Sequence, residues 1–81
     1  MRNAILEVLQ EIRPEFDFSS SEDFIREGLL DSFDLLQLVD TLDQKFNLSI
    51  EGQDIVRENF TNTEKIIELI QKTQSQHEPY L

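Results

Sequence analysis

Leu35, Leu38, Val39, Leu42 and Phe46 stand at steps 0, 3, 4, 7 and 11 along the chain. Those steps mix odd and even intervals, so they cannot share one face of a strand, but they do share one face of an α-helix. A helix over roughly 32–46 follows, with Asp31 and Ser32 where an N-cap belongs and Asn47 as its stop. A one-faced helix has to bury that face, so the rest of the chain must supply partners. Ile5, Val8, Leu9 and Ile12 repeat the pattern at i, i+3, i+4 and i+7, which predicts a helix over 2–13 ended by Pro14. Thr61-Asn62-Thr63-Glu64 has the T-x-x-E spacing of a capping box, and Ile66, Ile67, Leu69 and Ile70 follow as a buried face, predicting a helix over 62–73. Residues 51–58, EGQDIVRE, read as at most a short third helix weakened by Gly52.

Between the first two helices, residues 14–31 show no sustained period. Phe16, Phe18, Phe24, Ile25, Leu29 and Leu30 are nevertheless too many apolar groups to leave in water, so this is a long loop pinned to the core. Within it, the short polar residues from Ser19 to Asp23 suit the cap of a single helical turn, ended by Gly28. No alternating apolar run of strand length occurs. The expected fold is therefore all-α: a small four-helix bundle with a long first loop and a short third helix. A chain of 81 residues holds one modest core, hence one domain over 1–73. Residues 74–81 lack helical apolar spacing and read as a flexible tail.

Seventeen acidic residues against seven basic ones leave a formal charge of −10. Such a surface repels nucleic acid and anionic membranes, and favours partners with basic docking surfaces. The absence of cysteine excludes a disulfide scaffold, a thiolate zinc site and a cysteine nucleophile, so any thiol chemistry has to be imported. The opening MRNAILEVLQEIRPEF has no long uncharged apolar run or small-residue cleavage site, so a cytoplasmic monomer without a membrane span is expected. Catalysis by a nucleophile and a base is disfavoured because the one histidine, His77, falls in the expected tail. Calcium binding fails as well. Asp40 and Glu51 have the spacing of the first and twelfth positions of an EF-hand loop, but the third, fifth and sixth are Leu42, Gln44 and Lys45.

Asp31-Ser32 remains. Taking Leu35, Leu42 and Phe46 as inward, steps of about 100° per residue put Ser32 at the edge of the core and Leu36 on the flank. Phe33, Gln37, Asp40 and Gln44 then point outward. A phosphodiester on the Ser32 hydroxyl would sit where the helix dipole and free backbone N–H groups favour negative charge. The segment Gly28-Leu29-Leu30-Asp31-Ser32-Phe33-Asp34, followed by the apolar steps from Leu35 to Phe46, resembles the phosphopantetheine attachment motif of acyl and peptidyl carrier proteins. The likeness extends over about residues 3–72, through the loop ending DFIREGLLDS and the final FTNTEKIIELI.

The resemblance implies that a phosphopantetheinyl transferase joins 4′-phosphopantetheine from coenzyme A to Ser32 with Mg²⁺, and that cargo then rides as a thioester between enzymes. The chain itself would not be an enzyme. It further implies that Asp31 flanks the attachment point and that Phe33, Asp34, Leu36, Gln37, Asp40 and Asp43 on the same helix serve partner recognition. The partners would be an adenylate-forming ligase, or acyltransferase and synthase enzymes. Gln37 stands where fatty-acid carriers commonly have an acid, and Asp40 where they have an apolar contact. Together with Phe60-Thr61, these departures look more like D-alanyl carriers and related stand-alone aminoacyl carriers. The cargo expectation therefore leans to an amino acid, with a fatty or polyketide acyl chain as the alternative. The rival of another class is a helical adaptor in which Ser32 is only a helix cap.

Overall fold

The computed structural model describes residues 1–76, and His77 with the rest of the expected tail lies outside them. Three α-helices form the frame: α1 over Arg2–Ile12, α2 over Ser32–Phe46 and α3 over Thr63–Gln76. Short 3₁₀ turns lie at Phe18–Ser20, Gly52–Asp54 and Arg57–Phe60. The all-α class stands, but the short third helix does not form, so the described residues hold three α-helices rather than four. Gly52 disfavours a helix there, and the β-branched pair Ile55 and Val56 lies between the two turns with Val56 extended at φ −128°, ψ 153°.

Each helix buries the face its spacing predicts. Ile5, Val8 and Leu9 meet Leu35, Leu38, Val39 and Leu42, and Ile66, Leu69 and Ile70 close the same cluster. Phe46 and Ile67 are only partly buried at its edge. The long loop contributes Phe18, Phe24 and Leu30 to this core. Phe18 and Phe24 meet edge to face with ring centres 5.1 Å apart, an arrangement aromatic quadrupoles favour.

Polar groups hold the loop in register. Asp17 accepts from the Ser19 amide at 3.1 Å and caps the first 3₁₀ turn. Asp23 accepts from the amides of Ile25 and Arg26 at 3.1 and 2.9 Å, making the turn that Gly28 ends at φ +79°. A side chain at Gly28 would be strained by that φ although nothing crowds it. The Phe24 amide donates to the Thr61 carbonyl at 2.6 Å, tying the loop to the chain just before α3.

Two helix ends differ from expectation. Asn62, not Thr61, caps α3: its side-chain oxygen accepts from the Lys65 amide at 2.9 Å, and its carbonyl from the Ile66 amide. The helix also runs past residue 73 to Gln76. Thr73, the last residue of the expected helix, is 1% exposed and donates its hydroxyl to the Leu69 carbonyl at 2.8 Å, and residues 74–76, expected in the tail, continue the helix. Among the described residues no helix is long and apolar enough to cross a membrane.

Candidate functional site at the start of the second helix

The first turn of α2 is built as a closed polar box. Asp31, the N-cap, accepts from the Asp34 amide at 2.9 Å, and the Asp34 carboxylate accepts in return from the Asp31 amide at 3.2 Å. This reciprocal pair satisfies two of the backbone donors a helix start leaves open. Arg13, in the residue after α1, closes the box from below. Its Nε donates to Asp34 Oδ2 at 2.9 Å, and its Nη2 lies 3.6 Å from Asp31 Oδ2. Pro14 disfavours helical backbone at Arg13, where φ is −134° and ψ is 78°, and so ends α1 there.

The charges respond to this packing. The Asp34 amide bonded to its carboxylate holds Asp31 below the usual carboxylate range; partial desolvation opposes this, and the Arg13 charge adds to it. The hydrogen bond to Asp34 and then its charge hold Arg13 above its ordinary value.

Ser32 is the first residue of the helix proper, and it is exposed. Its hydroxyl makes no hydrogen bond among the described residues. Beside it lies a pocket of about 210 Å³ lined by Ile25, Leu30, Asp31, Ser32, Leu35 and Arg57. Phe33 and Leu36 project outward, 68% and 61% exposed, as the helical steps predict. Gln37 and Asp40 are exposed on the same helix. Asp40 accepts from the Gln44 side chain one turn on, at 3.3 Å.

One acid expected on this surface is elsewhere. Asp34 is 4% exposed and lies beneath the helix start, where a capping-box N3 carboxylate that also meets Arg13 is pulled inward. Its carboxylate is thus not presented to a partner. Asp54, in the second 3₁₀ turn, is likewise buried, 7% exposed, and bound to Lys72 of α3 at 3.0 Å. Asp43 is half-buried and accepts from the Ile50 amide at 3.0 Å, which shapes the turn after α2. Arg13 and Arg57 carry no signal in a single sequence, because each reaches the site from a segment distant in the chain.

The family described as "Phosphopantetheine attachment site" matches residues 1–70. A protein named D-alanyl carrier protein, from Streptococcus suis (strain 98HAH33), is 32% identical over 69 residues, covering 83% of this chain and 86% of that protein. No solved structure gave a significant match.

Proposed function

Because the chain belongs to the phosphopantetheine attachment site family, we propose that Ser32 is its attachment point and that an aminoacyl group is its cargo. Members of this family are carriers rather than catalysts: they bear 4′-phosphopantetheine, are modified by a phosphopantetheinyl transferase and serve partner enzymes. The group supplies a flexible arm ending in a thiol, and this chain has no cysteine to compete with it.

The single observation that carries the Ser32 assignment is an exposed hydroxyl, free of hydrogen bonds, at the first position of α2 above a box that holds the helix start rigid. A phosphodiester there would sit near the positive end of the α2 dipole. Attachment forms a bond from Ser32 Oγ to phosphorus, while the nucleotide half of coenzyme A leaves and the hydroxyl proton passes to the transferase. Phe33 and Leu36 give a docking enzyme apolar contact, and Gln37 and Asp40 flank them. The net charge of −10 steers basic partners toward brief encounters, which suits a shuttle. Tethering replaces free diffusion of the cargo by a high effective concentration at each docked enzyme.

The aminoacyl reading rests on Gln37, Asp40 and Phe60-Thr61, and on the likeness to a protein named D-alanyl carrier protein. It is also supported by packing. Leu35, Val39, Leu42 and Ile66 are at most 7% exposed within one cluster, which favours a small cargo left outside over a long chain drawn inside.

Incubation with coenzyme A, Mg²⁺ and a broad-specificity transferase should add one phosphopantetheine, mapped to Ser32 by peptide mass spectrometry. Ser32→Ala should abolish it while leaving helicity intact. An adduct on Ser19, Ser20, Ser21 or Ser49 would remove the assignment. Octanoyl and alanyl thioesters of the loaded protein then test the cargo: methyl NMR shifts at Leu35, Val39, Leu42 and Ile66 with octanoyl alone would favour a fatty or polyketide carrier.

A further inference from the structure

Arg57 shares the wall of the pocket beside Ser32, although it belongs to a different segment, the 3₁₀ turn Arg57–Phe60. Among the described residues, Arg2, Arg13 and Lys72 are held in ion pairs, and Arg57 is in none. Its position is nevertheless set by its neighbours. Phe60, at the end of the same turn, is 0% exposed, and the Asn59 side chain donates to the Asp54 carbonyl at 2.8 Å.

Arg26, Lys45 and Lys65 are likewise in no ion pair among the described residues, but of these four only Arg57 lines the pocket beside Ser32. Asp31, on the same pocket, does not supply the missing partner. Its carboxylate accepts from the Asp34 amide and faces Arg13. The pocket therefore combines a free guanidinium, a serine hydroxyl and an apolar floor of Ile25, Leu30 and Leu35. That combination matches the root of the arm, which is an anionic phosphodiester followed by a carbon bearing two methyl groups.

We propose that Arg57 is the counter-ion of the arm, its guanidinium binding the phosphodiester on Ser32 while the dimethyl carbon one methylene further along packs on Ile25, Leu30 and Leu35. This rests on the Ser32 reading. Guanidinium is suited to the task because its planar fork meets two phosphate oxygens at once, which a lysine ammonium does not. Exposed as it is, Arg57 holds the root in a reversible seat, and the thiol end stays free to reach partner enzymes.

The test uses the loaded, full-length chain. Mass spectrometry first establishes that the adduct is on Ser32; its absence there overturns the attachment reading, and the seat with it. With the adduct in place, loading should shift the Arg57 Nε–Hε resonance and the methyl resonances of Ile25, Leu30 and Leu35, and should broaden the phosphorus line relative to free coenzyme A. Arg57→Gln should reduce the seated fraction about two- to fivefold, the range expected of an exposed ion pair. Arg57→Lys should restore it only in part, and Lys65→Gln, which removes an equal charge on α3, should leave it unchanged. In the unmutated protein, raising salt from 0.05 to 1 M should reproduce the Arg57→Gln change, because the screening length contracts to about 3 Å. Methyl and phosphorus signals identical in the loaded parent and Arg57→Gln, or insensitive to salt, overturn the seat and leave the Ser32 assignment standing.

Discussion

Asp34 and Asp54 are both buried carboxylates, each bonded to a cation from another element, yet they are satisfied to different degrees. Asp34 Oδ2 accepts from the Asp31 amide and from Arg13 Nε. Asp54 accepts from Lys72 through Oδ1 alone, and its Oδ2 is buried without a hydrogen-bond partner among the described residues. A buried acceptor left unpaired costs about 1–3 kcal/mol. The start of α2 is thus a closed structure, while the segment over 51–60 keeps the cost of one unpaired buried oxygen. The support beneath Ser32 is closed, and the segment that carries Arg57 holds an open acceptor.

The comparison can be broken most directly by removing each acid. Asp34→Ala leaves Arg13 and a helix-start amide without their partner and should destabilise the fold by about 2–4 kcal/mol. Asp54→Ala also removes the unpaired oxygen, so its loss should be smaller, about 1–2 kcal/mol. Denaturant unfolding of both variants measures the difference, and equal or reversed losses would dissolve the contrast.

A second substitution asks whether the support under Ser32 is separable from the surface above it. Phe33→Ala should change stability by no more than about 0.5 kcal/mol, as expected for an exposed position. It should still lower kcat/KM for the transferase. A large fall in melting temperature with transfer kinetics unchanged would show Phe33 to be a packing residue.

The smallest effect is expected from pH. Asp31 is held below its ordinary value by the Asp34 amide, so its contribution to stability is fully present above about pH 4. That contribution is lost as pH falls through the lower, folded-state value. Asp31→Asn keeps a good N-cap and should flatten part of the acid limb in pH-dependent unfolding. Part remains, because Asp17 is lowered in the same way by hydrogen bonds from Ser19. An acid limb unchanged in Asp31→Asn would remove Asp31 from the account of the closed end.

What could be read from the chain alone divides along the same line. The bounds of α2, the left-handed stop at Asn47 and the positive φ of Gly28 rest on local spacing and local backbone preference, and all three follow from the sequence. The outward direction of Phe33 and Leu36 follows from helical steps. The burial of Asp34 does not, because it depends on Arg13 arriving from the end of α1. Likewise the segment 51–58 has enough helical residues to suggest a helix, but Asp54 is drawn to Lys72 and Asn59 to the Asp54 carbonyl. At the start of α3, Thr61 and Asn62 offer competing caps one residue apart, and only the fold chooses Asn62.

The bond from the Phe24 amide to the Thr61 carbonyl has a consequence for synthesis. A nascent chain emerging from the ribosome exposes Ser32 long before Thr61 is available to fix the loop, and long before Arg57 can join the pocket. Contacts this distant in sequence form late, once the intervening segment is free of the tunnel. A transferase that reads the shape around Ser32 rather than the local sequence would therefore pass over unfinished chains and modify those whose final helix has docked.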